Sequence, residues 1–177
     1  MTRTITTSTL TNRMIRAAKL DANLYEEVEA DKSTMKQAML VVLLSSLAAG
    51  IGMGGKNILF GTIAALAGWY IWAYLTYFIG TKLLPEKQTV ADHGELLRTI
   101  GFASSPGLIR ILGIIPGFNG FVFSVAGVWM LIAMVIAVRQ ALDYTSTLRA
   151  VGVCLIGWFI QSIFFGLFIV LFAKGGA

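Results

Sequence analysis

The feature that most restricts how this chain can fold is a set of four long runs without a charged residue. An α-helix needs about twenty apolar residues to cross the hydrocarbon core of a bilayer. In lipid, only helices and closed barrels satisfy all their backbone hydrogen bonds, and no alternating strands are present. We therefore predict an all-α fold, a polytopic membrane helical bundle. The uncharged runs are residues 37–55, 57–81, 121–138 and 150–173.

A fifth apolar stretch, residues 96–115, is interrupted by Arg98, Pro106 and Arg110. Twenty residues at the helical rise give roughly 30 Å, which is enough to cross the membrane. Pro106 removes a backbone hydrogen bond, so this third helix is predicted to be kinked or broken there. Two shapes stay open: one kinked span, or an interfacial helix up to Ser104 followed by a short steep helix.

The placement of basic residues favours five spans, with the N-terminus cytoplasmic and the C-terminus outside. Cytoplasmic loops carry an excess of Lys and Arg. If residues 96–115 only dipped into the membrane, the loop with Arg139 and Arg149 would move outside and this bias would weaken. With five spans, only Lys56 and Lys174 lie outside. The predicted spans are about residues 37–55, 58–82, 96–115, 121–138 and 150–173.

Residues 1–35 are predicted to form a cytoplasmic segment that precedes a membrane domain of residues 36–177. The segment is polar and carries both charge signs, so we expect no signal peptide, and the first span acts as its own insertion signal. Apolar residues between Met14 and Val28 recur at roughly helical spacing. This pattern predicts an amphipathic helix at the membrane interface.

Two helix starts carry the pattern of a capping box, in which two side chains satisfy free backbone N–H groups reciprocally. Thr34 and Gln37 precede the first span, and Asp92 and Glu95 precede the third. Both pairs are predicted to begin helices.

Small residues four positions apart on the first two spans allow helix backbones to approach closely. We favour packing within the five-helix bundle over homodimerisation, although both kinds of interface use such residues. The pairs are Ser46 with Gly50, Gly61 with Ala65, and Ala64 with Gly68.

Arg110 is the charged residue that lies deepest in an apolar run, and an intramembrane charge is by default a functional candidate. It could bind a lipid phosphate or another anion. Ser104, Ser105 and Pro106 of the same stretch are further candidate functional residues. The alternative is that the long side chain of Arg110 reaches the outer headgroups, and we favour it because no apolar run supplies a carboxylate partner.

No catalytic, cofactor-binding or metal-binding residues are predicted. The single Cys154 lies in an apolar run and the single His93 lies between Asp92 and Glu95. Asp92, His93 and Glu95 are too close in sequence to converge on one ion, and the chain has no second histidine. We therefore interpret these three as capping and surface residues. The net charge of +5 is spread over short segments, which argues against nucleic-acid binding.

Five stretches occur in a recognisable order: residues 24–28, residues 37–44, Gly-Phe-Ala-Ser-Ser-Pro at 101–106, Val128-Trp129, and residues 139–150. This order of elements resembles the Yip1 domain family. The family implies five spans and a cytoplasmic N-terminus. Eukaryotic members are Golgi and endoplasmic-reticulum proteins linked to vesicle traffic and Rab GTPases. This chain lacks their Asp-Leu-Tyr-Gly-Pro motif and is similar to compact prokaryotic members, so we expect a prokaryotic plasma membrane and no Rab-type partner.

The resulting functional hypothesis is a non-enzymatic membrane protein that organises or recruits partners at the cytoplasmic face. Its expected partners are membrane lipids and another membrane or cytoplasmic protein. A role as an accessory subunit of a larger complex stays open. The candidate partner surface contains Tyr25, Glu26, Glu27 and Arg98. Two alternatives stay open: a small transporter or channel component that uses Arg110 and the broken third helix, and a lipid-handling protein.

Overall fold

The computed structural model describes residues 9–55 and 58–173, and every regular element in these ranges is helical. The predicted all-α class is therefore confirmed. The α-helices are α1 (Leu10–Ala18), α2 (Ala22–Ala30), α3 (Met35–Gly52), α4 (Ile58–Phe78), α5 (His93–Ala103), α6 (Asn119–Ala141) and α7 (Thr147–Ala173). A π-helical turn (Ile79–Leu83) follows α4, and 3-10 helices cover Lys32–Thr34 and Ser105–Ile114.

Three described helices are long and apolar enough to cross a membrane: Lys32–Gly52, Ile58–Leu83 and Asn119–Ala141. They correspond to the first, second and fourth predicted spans. The backbone of α7, which is 27 residues long, covers the whole of the fifth predicted span, residues 150–173. Whether the chain crosses exactly five times depends on the third predicted span, residues 96–115 (the third stretch), and stays a prediction.

Helices α1 and α2 form a hairpin, residues 10–30, that packs against the bundle. Leu24, Tyr25 and Val28 are fully buried. They share one apolar cluster with residues of α3, α5 and α6: Ala38, Val41, Phe102, Ala103, Ala133 and Ala137. Burying a large apolar side chain contributes about 1.5–3 kcal/mol. The predicted amphipathic segment is thus helical, but it is an integral part of the protein core.

Two buried or partly buried arginines stabilise the hairpin and its junction with α3. Arg13, which is 7% exposed, donates to Glu27, Asp31 and the side chain of Gln37. Arg16 donates to Asp21 and Glu27. Because these carboxylates come from α2 and its two flanking turns, the ion pairs hold the hairpin closed.

The two predicted capping boxes have different outcomes. Asp92 and Glu95 form the complete reciprocal pair at the start of α5, with bonds of 2.8 and 2.7 Å. The prediction for Thr34 and Gln37 is wrong. The Thr34 hydroxyl donates instead to the carbonyls of Val28 and Asp31, while Gln37 accepts from Arg13. The hairpin provides partners that compete with the local cap.

The third stretch changes helix type in its middle. The α-helix ends at Ala103, and the 3-10 helix Ser105–Ile114 has Pro106 in its first turn, where a missing N–H is tolerated. A 3-10 helix rises about 2.0 Å per residue, against 1.5 Å for an α-helix. The stretch from α5 to Ile114 therefore gains length from this change.

The third stretch runs parallel to α3 and in close backbone contact with it, through glycine. A Cβ at Gly101 would lie 2.7 Å from Cβ of Ala38, and one at Gly107 would overlap the Ser45 hydroxyl. Farther along, a Cβ at Gly113 would lie 3.0 Å from the Gly52 carbonyl oxygen. These contacts extend from the beginning to the end of α3. The two segments therefore cover the same depth of the bundle.

On the side of the bundle that carries the hairpin, Glu86 connects the segment after α4 to the beginning of α7. Its carboxylate accepts from the N–H groups of Thr145 and Ser146 and from the Thr145 hydroxyl, and it pairs with Arg149. These bonds lower the pKa of Glu86 to about 2. Nearby, the Tyr144 hydroxyl bonds the carbonyls of Gly80 and Leu84.

Candidate functional site

A polar cavity of about 230 Å³ lies at the centre of the helical bundle. Each of α3, α4, α5, α6 and α7 contributes to its wall, and so does the 3-10 helix of the third stretch. Its apolar walls include Trp69, Ile100, Met130 and Met134. Its polar lining comprises Ser45, Ser46, Trp72, Ser104, Arg110 and Gln161.

Arg110 is the charged residue of the cavity wall. Its guanidinium lies over the ring of Phe123, with 5.7 Å from Cζ to the ring centroid. A cation–π contact uses the face of the guanidinium and leaves its in-plane N–H donors to find other partners. All nine acidic residues lie outside the cavity lining. The cation is therefore without a carboxylate counter-charge in this cavity.

Unpaired polar atoms are concentrated in the same place. Four buried side-chain nitrogen or oxygen atoms in the described part of the chain have no hydrogen-bond partner. Three of the four belong to cavity residues: Nε1 of Trp72, Nε of Arg110 and Oε1 of Gln161. Buried polar groups without partners are rare in proteins because they lose their hydrogen bonds to water without replacement. The cavity thus offers two unused donors and one unused acceptor.

The structure brings together some of the residues predicted around Arg110. Ser104 lines the cavity with Arg110. Ser105 is buried and donates to the Phe102 carbonyl at 2.7 Å, so its hydroxyl completes the end of α5. Pro106 is buried in the first 3-10 turn. Ser105 and Pro106 therefore shape the segment that carries Arg110 without lining the cavity.

The six predicted packing residues fall into three groups. Ser46 and Gly50 meet α4, at Thr62 and Ile58. Ala65 and Gly68 line the cavity, and the space beside Gly68 is open to 4 Å. Gly61 and Ala64 are exposed. The small residues of α4 therefore leave open space, rather than a close contact with a neighbouring helix, at Gly61 and Gly68.

The predicted partner surface needs correction at two positions. Tyr25 is fully buried, and Arg98 is only 3% exposed because it donates to the carbonyls of Val28 and Glu29 near the end of α2. Neither side chain is available to a partner. Glu26 is exposed and accepts from Gln140 at 2.8 Å, whereas Glu27 is bonded to both hairpin arginines.

Sequence reasoning missed several residues that position these features. The indole N–H of Trp129 donates to the Ala18 carbonyl at 2.8 Å and fastens α1 to α6, and that of Trp69 donates to the Leu97 carbonyl. The ring of His93 packs edge-on against Tyr70 and Tyr74, with centroids 4.9 and 5.8 Å apart. Trp129 was noted in the sequence only for the family resemblance, and no contact was predicted for Trp69. Within the described ranges, residues 9–55 and 58–173, no group of His, Cys, Asp and Glu side chains could hold a metal ion.

Four carboxylates form an acidic patch near the hairpin: Glu26, Glu29, Glu95 and Asp143. Glu29 lies at its centre and is partly buried. Burial and the charges of Asp143, Glu95 and Glu26 raise the pKa of Glu29 to about 8, although the nearby Arg98 opposes this shift. The patch therefore carries negative charge that is incompletely compensated within the chain.

Replacing Glu29 with Gln is expected to stabilise the protein more at high pH than at low pH. The folded pKa of about 8 exceeds the ordinary value of 4.5, so the native state loses stability as the pH rises between these values. Glu29→Gln removes this loss. We expect the free energy of unfolding to rise by about 1–2 kcal/mol near pH 8, after allowance for solvent screening. Thermal unfolding in detergent at about pH 5 and about pH 8 measures it, and equal gains at both pH values would contradict the assignment.

The long apolar helices and the open, partly polar cavity between them define a helical membrane protein with a site among its helices. A family model described as Yip1 domain matches residues 23–173. The chain therefore belongs to the Yip1 domain family. No curated protein and no solved structure matches it.

Proposed function

We propose that this protein organises or recruits a partner protein at the cytoplasmic face of the membrane and has no catalytic activity of its own. The observation that carries the proposal is a single interlocked surface, the hairpin face, made of residues 10–30, 84–92 and 142–146. Gln140 connects it to Glu26, and Gln88 donates to the Asp143 carbonyl at 2.9 Å. A preformed surface of this kind loses little conformational entropy on binding.

Charge placement supports a cytoplasmic hairpin face. Every described Lys and Arg except Arg110 lies on the hairpin, at the adjoining helix ends or in the connections on that side. The parallel course of the third stretch beside α3 supports five crossings, and hence a C-terminus outside. An excess of basic residues marks the cytoplasmic side. With the resemblance to compact prokaryotic members, this placement points to a prokaryotic plasma membrane.

The acidic patch suggests the chemistry of the partner. Glu29 is held among carboxylates at a cost in stability that a nearby cation would remove. A basic segment of another protein would supply such a cation, and electrostatic complementarity of this kind favours both specificity and rapid association. Apolar Val90, which is 79% exposed on the same face, adds a contact for a side chain of the partner.

Photo-cross-linking in native membranes tests the proposal. Photoreactive residues are introduced at Glu26 and Val90, the exposed positions, since Tyr25 is buried. The matched control is Phe60, which is 75% exposed on the apolar surface of α4. Mass spectrometry then identifies the adducts.

We expect one defined protein to be recovered from both Glu26 and Val90 and to be absent from the Phe60 adducts. Glu29→Lys should reduce its recovery, because it places a positive charge at the centre of the acidic patch. Recovery of lipid adducts alone at all three positions would contradict a recruiting function.

A further inference from the structure

The central cavity brings three unused polar atoms together with one uncompensated cation. Nε1 of Trp72, Nε of Arg110 and Oε1 of Gln161 come from α4, the third stretch and α7. These segments are far apart in the chain, so their convergence depends on the whole bundle. A ligand that satisfies them must accept hydrogen bonds from an indole and from a guanidinium.

The charge of the ligand follows from that of the cavity. Arg110 brings a positive charge, and none of the nine acidic residues lines the wall. The planar guanidinium matches the geometry of phosphate and carboxylate oxygens. The Gln161 amide can accept from a hydroxyl of the ligand or, rotated by a half turn, donate its NH₂ group.

We propose that the cavity binds a phosphate-type anion, with Arg110 and Trp72 donating to its oxygens. This site shares no residue with the acidic patch and does not depend on the proposed recruiting function. Phosphate of this type can reach the cavity as a lipid headgroup or as a free ion. The tryptophan and methionine walls favour the lipid, since they can contact the glycerol and the first acyl carbons.

The small residues of α4 leave an approach to the cavity open. Gly68 and Ala65 line it, and outside the local helix backbone no atom lies within 4 Å of the position of a Cβ at Gly68. A leucine there would project its side chain into this space. Gly61 also has open space but is not part of the lining, so it provides a matched position.

The test uses the purified full-length protein in a neutral detergent. Phosphatidylglycerol, diacylglycerol with the same acyl chains, and inorganic phosphate are added separately, and thermal unfolding and native mass spectrometry are recorded. We expect phosphatidylglycerol to raise the unfolding temperature and to form a one-to-one complex. Arg110→Met should weaken that complex about 10- to 100-fold, the loss expected for a charge-assisted hydrogen-bond pair. Gly68→Leu should weaken it, and Gly61→Leu should not.

Comparison of the three added compounds distinguishes a lipid headgroup from a free ion. Stabilisation by inorganic phosphate that is lost in Arg110→Met, with no added effect of phosphatidylglycerol, would support the anion site and assign it to a free ion. Equal binding of diacylglycerol would overturn the proposal, because the phosphate would then be irrelevant. Unchanged phosphatidylglycerol binding by Arg110→Met would overturn it as well. Arg110→Met is expected to fold, since it removes a cation without a paired carboxylate.

Discussion

Replacing Gly52 with Ala is expected to lower the free energy of unfolding by about 3 kcal/mol, which corresponds to roughly 6–12 °C in the unfolding temperature. The new Cβ would overlap the backbone carbonyl oxygen of Arg110, which cannot move as a flexible side chain does. The Gly52 carbonyl also accepts from the Asn119 side chain at 2.8 Å. If the new methyl group pushes α3 away from the 3-10 helix at this point, the start of α6 is disturbed as well.

Gly61→Ala is the matched control for Gly52→Ala. It adds the same methyl group to an apolar helix, but outside the local helix backbone no atom lies within 4 Å of the new Cβ. We expect no loss of stability, because alanine is also the better helix former. Thermal unfolding of both variants in the same detergent makes the comparison. Equal stability of the two variants would mean that α3 and the third stretch are not in close backbone contact.

Arg98→Met is expected to release the hairpin from the bundle and to cost about 2–4 kcal/mol. The buried guanidinium donates to the carbonyls of Val28 and Glu29, and its Nε bond is 2.9 Å long. Methionine fills similar space but cannot donate, so both carbonyls lose the hydrogen bond from Arg98. Limited trypsin digestion measures the release, because Lys19 and Lys32 flank α2.

Lys36→Met is the control for the loss of a positive charge on the same side, since Lys36 is exposed. It should leave the rate of cleavage at Lys19 and Lys32 and the unfolding temperature unchanged. If Arg98→Met were cleaved no faster than this control, the apolar cluster around Tyr25 would be enough to hold the hairpin. The carbonyl bonds of Arg98 would then contribute little.

Local signals in the sequence predicted some details and failed on others. Asp92 and Glu95 form the predicted capping box because both partners lie within one helical turn. The same pattern at Thr34 and Gln37 failed because Arg13, more than twenty residues away, binds Gln37. Arg98 has the sequence signature of a surface charge, yet it is buried against carbonyls about seventy residues away. Local patterns do not contain these distant partners.

The cavity illustrates the same limit. Arg110 and Ser104 were recognisable because polar residues in an apolar stretch are unusual. Trp72 was not, because tryptophan is common at membrane surfaces and its position in the sequence does not reveal which neighbour it faces. Its role becomes visible only when α4, α7 and the third stretch enclose the same space.

The sequence by itself determined that this chain is a helical membrane protein of the Yip1 domain family, and it indicated which segments are helical. The uncharged runs suffice for this, because a membrane-spanning backbone must satisfy its own hydrogen bonds. Only the tertiary structure decided which face of each helix points inward. These helices are apolar all round, so no periodicity separates the lipid side from the packed side. Glycine contacts and a few long-range hydrogen bonds fix which face of each helix points inward. They thereby also determine that the hairpin is buried and that the cavity forms.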